Sequence, residues 1–193
     1  EKEEIESIIK DTDSIESIGF DYFLKNKDKG KTIDMLFYEQ YNINYSKRFE
    51  LTYWKRDLAG ERKLYEDLVQ NENYVFVHDD PNRGFVIPDN LISKEFQIIR
   101  NSNSYSIFDY SEIIENSKEI HVMESSARCM LEYLKTEKSK HYLYNFVKGP
   151  WKSIPYYDAN NNIIGSQKKW IIKEIPFKRK INFFKRLTNI FNF

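Results

Sequence analysis

Strand-like apolar runs and amphipathic stretches alternate through the middle of this chain. An unbroken apolar run at Tyr74–Val77 is typical of a strand buried on both faces, and a second strand is predicted at Glu119–Met123. Apolar residues at helical spacing predict a helix over 108–117 between them and another over 126–135 after them. Strand, helix, strand, helix is the βαβ alternation, which predicts an α/β fold with a Rossmann-like parallel sheet and flanking helices.

Further elements are predicted on both sides of this centre. A helix is expected to begin after Thr32, its N-cap, and to end near Asn42 or Asn44. Two more helices are expected over 49–54 and 58–70, and strands are expected at 85–87, 96–99, 141–144 and 169–172. Before them, a short helix and then a loop through 25–30 are expected. The chain thus divides into a peripheral segment (1–32), a sheet domain (33–176) and a basic amphipathic C-terminal helix (177–193).

Composition narrows the class of function. The 193 residues carry 30 Lys and Arg against 30 Asp and Glu, so a general nucleic-acid-binding surface is not expected. The single cysteine, Cys129, permits no internal disulfide and favours a reducing, cytoplasmic location. No signal peptide and no membrane-spanning run are recognisable. Because the chain begins Glu-Lys-Glu-Glu rather than with Met, we expect a processed protein or a fragment.

Two polar clusters follow the two central strands. The first runs His78-Asp79-Asp80-Pro81-Asn82-Arg83-Gly84, and the second runs Glu124-Ser125-Ser126-Ala127-Arg128. Ligands of open parallel sheets bind beyond the carboxyl ends of the strands, so both clusters are expected to face one crevice. That crevice is the predicted site.

The second cluster offers hydroxyls and unpaired N–H groups at the start of a predicted helix. Such a position favours phosphate oxygens, although a serine taken alone is more often a simple N-cap, which contributes about 1 kcal/mol. The cluster has no glycine-rich loop, so a Rossmann dinucleotide site is not indicated.

The first cluster contains one arginine and two carboxylates. Arg83 could fork onto a diphosphate and stabilise it as a leaving group, or it could form an ion pair with Asp79 or Asp80. Either carboxylate could be a general base, or a loop former beside Pro81. A metal site with His78 lacks further ligands at suitable spacing, so no metal is expected.

Several segments together carry a family resemblance. They are Phe37–Gln40, Arg56-Asp57 with Glu61 and Leu64-Tyr65, Tyr74–Phe85, Ile107–Tyr110 and Ile114–Ser126. Over residues 33–148 the chain resembles a group of microbial and viral glycosyltransferases, which are similar in turn to the donor-binding half of fucosyltransferase-like GT-B enzymes.

The resemblance implies a GT-B-type donor lobe, with the N-terminal acceptor lobe reduced or missing. It implies a nucleotide-sugar donor, a glycan or other hydroxyl acceptor, and no metal. The implied donor-binding residues are His78, Asn82, Arg83, Glu124, Ser125 and Ser126, and the implied catalytic residues are Asp79, Asp80 and Arg83. A non-catalytic binding module that keeps this fold is the alternative.

The basic C-terminal stretch leaves two further possibilities open. Phe183, Phe184, Leu187 and Phe191 can share one helical face, flanked by basic residues of the same stretch. Such a helix could make a peripheral contact with an anionic membrane through 178–193, or it could pack across its own sheet.

Overall fold

The computed structural model of the protein describes residues 20–26, 31–147 and 163–176. Contacts divide the chain into two compact units, Glu1–Glu50 and Leu51–Phe193. The predicted boundary between the peripheral segment and the sheet domain, at residues 32 and 33, therefore falls inside the first unit.

The described part of the first unit contains two short helices, α1 (Phe20–Asn26) and α2 (Ile33–Gln40), and all but the last residue of a third, α3 (Lys47–Leu51). The predicted N-cap at Thr32 is confirmed, since its hydroxyl accepts a hydrogen bond from the Met35 N–H at 3.4 Å. Two predictions are wrong at their edges. Lys25 and Asn26, which were expected in a loop over 25–30, belong to α1, and the helix expected over 49–54 lies over 47–51.

The early end of α3 has a packing cause. Trp54 lies in non-helical chain, and its ring contacts Phe108 and Tyr133, with centroid distances of 5.7 and 6.1 Å. The non-helical chain between α3 and the next helix lets Trp54 pack against the large apolar cluster of the second unit. Local helical spacing carries no information about this contact.

The second unit is an α/β sheet domain. Its elements are α4 (Leu58–Leu68), β1 (Tyr74–His78), β2 (Gln97–Arg100), α5 (Ser111–Asn116), β3 (Glu119–Met123), α6 (Ser126–Leu131), β4 (Lys140–Val147) and β5 (Trp170–Pro176). The five strands lie in the order β2-β1-β3-β4-β5, and all four pairings are parallel. The predicted Rossmann-like parallel sheet is therefore confirmed.

The two faces of the sheet are covered differently. Tyr74 and Phe76 point to the face covered by α4, α5 and α6, where they join a large apolar cluster. Val75 and Val77 point to the opposite face and pack with Ile87 from the connection between β1 and β2. Burial on both faces explains the unbroken apolar run of β1.

The strand predicted at 85–87 is wrong. Gly84 has a φ of 82°, which reverses the chain after a 3₁₀ turn at Pro81–Arg83, and Phe85 forms only an isolated antiparallel bridge with Asp80. Ile87 is fully buried because this connection folds back over β1. Ile87 therefore covers the sheet with Phe85 packed partly against the same cluster, whereas Val86 is exposed.

The two helices that flank β3 are shorter than predicted. The helix expected over 108–117 is a 3₁₀ turn at Ile107–Tyr110 followed by α5. The helix expected over 126–135 ends at Leu131, where bonds from Tyr133 N–H to Met130 C=O (3.0 Å) and from Leu134 N–H to Leu131 C=O (3.3 Å) tighten the chain.

Two predicted features of the C-terminal part lie outside the described residues. These are the basic helix over 177–193 and its possible membrane contact through 178–193. Among residues 20–26, 31–147 and 163–176, no helix has the length and apolar character needed to cross a bilayer.

Candidate functional site

A cleft of about 580 Å³ lies at the carboxyl ends of β1, β2 and β3. The strand order 2-1-3-4-5 is one of the two common orders of doubly wound sheets. β2 lies on one side of β1 and the later strands lie on the other, so the topological switch point is between β1 and β3. Ligands of such sheets bind at this switch point. The lining residues are His78, Asp79, Asp80, Pro81, Asn82, Arg83, Asn101, Ser102, Asn103, Glu124, Ser125 and Ser126. Both predicted clusters therefore meet in one cleft.

Asp79 is buried, and its Oδ2 atom and backbone N–H are engaged. One of its oxygens, Oδ2, accepts the Ile87 N–H at 2.9 Å and also pairs with the guanidinium of Arg100. Its own N–H donates to Asn101 Oδ1 at 3.1 Å. Asp79 thus ties β1 to the end of β2 and to the covering connection, which favours a structural role over that of a proton acceptor.

Asp80 and Arg83 form an ion pair within the first cluster. Asp80 Oδ1 caps the 3₁₀ turn by accepting the Arg83 N–H at 3.0 Å, and Oδ2 accepts from Arg83 Nε. This hydrogen bond is the largest cause that holds the pKa of Asp80 below its ordinary value. Of the two uses expected for Arg83, the structure therefore shows the ion pair.

The guanidinium of Arg83 nevertheless stays accessible. The side chain is 66% exposed, and Cζ lies 5.6 Å from the centroid of the Phe85 ring. Within the described part of the chain, its terminal amino groups make no hydrogen bond. Arg83 can therefore present two N–H groups to an anion that enters the cleft.

His78 is the last residue of β1 and lines the cleft. Its Nδ1 atom is buried and has no hydrogen-bond partner among the residues that the structure describes. Burial is the main cause that lowers the pKa of His78, and it outweighs the opposite effects of Asp79 and Asp80. The imidazole is therefore neutral at pH 7.

The second cluster contributes one bonded and one exposed serine. The Ser125 hydroxyl donates to the Met123 C=O at 3.2 Å and does not cap α6, so the simple N-cap role expected for it is not seen. Ser126 is exposed in the cleft. Because α6 has only six residues, its dipole adds little, and the Ser126 hydroxyl is the more useful donor.

A third group of lining residues, Asn101-Ser102-Asn103, was expected only to be loop. It follows β2, so the rule that joined the other two clusters also applies to it. The sequence did indicate that these residues would line the cleft, because a strand was predicted at 96–99, just before them. Arg100 was also missed, since nothing local indicates that it pairs with Asp79.

Each acidic side chain of the cleft is paired with an arginine. The pairs are Asp79–Arg100, Asp80–Arg83 and Glu124–Arg128. Of these arginines only Arg83 lines the cleft, so the lining itself carries three carboxylates against one guanidinium, together with amides and hydroxyls that suit a ligand with many hydroxyl groups. Among the described residues, no group of three or more His, Cys, Asp or Glu side chains could hold a metal ion.

The chain was compared with protein-family models, with curated proteins and with solved structures, and none of the three comparisons found a match. The glycosyltransferase resemblance over residues 33–148 therefore stays a prediction.

Proposed function

We propose that this chain is a GT-B-type glycosyltransferase that binds a nucleotide-diphosphate sugar in the cleft and transfers the sugar to a glycan or another hydroxyl acceptor. One observation carries the proposal. Arg83 and Ser126, which are 43 positions apart in the sequence, line the same cleft at the switch point between β1 and β3. An accessible guanidinium and a hydroxyl at this place suit a diphosphate.

The diphosphate would bind the terminal amino groups of Arg83 while Arg83 Nε stays on Asp80. Hydrogen bonds to charged groups contribute about 1.5–3 kcal/mol. With the donor bound, Arg83 would neutralise the charge that develops on the leaving diphosphate.

The rest of the lining suits the sugar. Asn82, Asn101 and Asn103 carry amides, and Ser102 and Ser126 carry hydroxyls. These groups donate and accept hydrogen bonds without adding charge, as recognition of sugar hydroxyls requires. In this proposal the transfer needs no metal ion, because Arg83 supplies the positive charge.

A specific observation favours a second candidate, a non-catalytic binding module. Both carboxylates expected as bases, Asp79 and Asp80, are engaged with arginines. A module of this kind would bind the nucleotide sugar or glycan in the same cleft and would leave it unchanged. The two candidates differ in turnover and agree in binding.

A thermal-shift screen of nucleoside diphosphates and their sugars tests the proposal. A ligand present at 100 times its dissociation constant stabilises the folded state by about 2.7 kcal/mol. At least one nucleotide should stabilise the wild type, and Arg83→Ala should weaken the effect. Arg62→Ala is the matched control, because Arg62 is an exposed arginine of α4 whose ion pair with Glu112 is remote from the cleft lining. A stabilising nucleotide sugar that is never consumed would indicate the binding module.

A further inference from the structure

The three histidines of the chain have different surroundings. His121 and His141 are buried and bonded, His121 Nδ1 to the Tyr144 hydroxyl at 2.9 Å and His141 Nε2 to Thr136 Oγ1 at 2.8 Å. His78 differs because neither of its ring nitrogens bonds to any residue that the structure describes. Since Nδ1 is the buried nitrogen, Nε2 is the one that a ligand in the cleft can reach.

The carboxylates beside His78 are poor proton acceptors by comparison. Asp79 holds the Ile87 N–H and Arg100, and Asp80 holds Arg83. A carboxylate stabilised by a guanidinium gives up that stabilisation when it takes a proton. A neutral imidazole without a partner has no such interaction to lose.

We propose that His78 is the general base of the sugar transfer, accepting the proton of the acceptor hydroxyl at Nε2. This inference rests on the proposed function and deepens it. The acceptor oxygen forms a bond to the anomeric carbon as the bond from that carbon to the diphosphate oxygen breaks. The bonding electron pair leaves with the diphosphate beside Arg83, and the proton moves to His78 and then to solvent. A single displacement of this kind inverts the anomeric configuration.

The surroundings of His78 define its pH dependence. The charged groups that act on it are Asp79 and Asp80, which favour protonation, and Arg83, which opposes it, while burial opposes it most. The turnover rate should therefore be constant near neutral pH. It should fall tenfold per pH unit once the pH drops below the lowered pKa of His78.

The experiment uses the whole chain and measures the release of UDP or GDP from UDP- and GDP-sugars. His78→Gln should lower turnover at least 100-fold and leave nucleoside diphosphate binding within about twofold of the wild type. Asp80→Asn should keep the acidic limb of the pH profile, because His78 remains, and should move it to lower pH, because a carboxylate that favours protonation of His78 is lost. Turnover by His78→Gln at the wild-type rate would overturn the assignment and leave the proposed function standing.

A chemical measurement tests the accessible imidazole without relying on turnover. Diethylpyrocarbonate modifies neutral, accessible histidines, so one of the three should react rapidly in the wild type and none in His78→Gln. Equal reaction of all three, or no fast reaction, would contradict the assignment. Failure of the wild type to bind any nucleotide would overturn the proposed function and the assignment together, whereas binding with slow imidazole modification would overturn only the assignment.

Discussion

Asp79→Ala should destabilise the fold strongly, because the Asp79 carboxylate is the buried acceptor that joins β1 to its covering connection. The Asp79 side chain is 2% exposed, and Arg100 is 29% exposed and keeps a second carboxylate, Asp89. Removal of one partner of a buried pair costs about 3–5 kcal/mol, and partial exposure of Arg100 places this case near the lower limit. The orphaned Ile87 N–H adds about 1–3 kcal/mol. Together these effects amount to about 4–6 kcal/mol.

Urea unfolding followed by circular dichroism measures this loss, and a thermal melt should show a midpoint lower by roughly 8–24 °C. Asp67→Ala is the matched control, since Asp67 is an exposed aspartate of α4, and we expect less than about 0.5 kcal/mol from it. In a double-mutant cycle, Asp79→Ala and Arg100→Ala should be non-additive by at least about 1 kcal/mol. Wild-type stability of Asp79→Ala, or simple additivity in the cycle, would refute the reasoning.

Three further predictions concern stability and metal dependence. Glu132→Ala should lower the free energy of unfolding by about 2–3 kcal/mol and speed amide exchange at Gln167, because the buried Glu132 carboxylate accepts the Gln167 N–H at 2.8 Å. Glu137→Ala removes an exposed carboxylate and should have neither effect. Burial lowers the pKa of His141 to about 4, so the unfolded state binds the extra proton below pH 6.5. His141 should therefore contribute a fall of roughly 3 kcal/mol in the free energy of unfolding as the pH drops from 6.5 to 4, and His141→Gln should remove that part of the dependence in urea titrations. The part due to His121, whose pKa is also lowered by burial, should remain. Sugar transfer should survive EDTA, and loss of activity that Mn²⁺ or Mg²⁺ restores would contradict the proposed metal-free mechanism.

The sheet could be predicted from the sequence because its central strands are buried on both faces. Tyr74–Val77 and Glu119–Met123 are short runs bounded by turn residues, and a helical stretch precedes the second strand. These local signals indicate βαβ units, and parallel pairing then brings the strand ends to one edge. The cleft follows from that rule alone.

The ion pairs of the site could not be predicted in the same way. Asp79 pairs with Arg100 because β1 and β2 are neighbours in the sheet. The residues near Asp79 in the sequence do not indicate this pairing. Apolar residues at 85–87 read as a strand because burial and strand character give the same local pattern. The packing of Ile87 over the sheet depends on the left-handed backbone of Gly84 and on the cluster that Ile87 forms with Val75.

The most direct test of the central claim is isothermal titration calorimetry of GDP and UDP with the wild type, Arg83→Ala and Arg62→Ala. The account predicts saturable binding of at least one nucleotide to the wild type and to Arg62→Ala. Arg83→Ala should bind it roughly 10- to 100-fold more weakly, since the lost charge-assisted bonds contribute about 1.5–3 kcal/mol. Equal affinity of Arg83→Ala and the wild type, or no binding to the wild type, would contradict the assignment of the cleft as a diphosphate site.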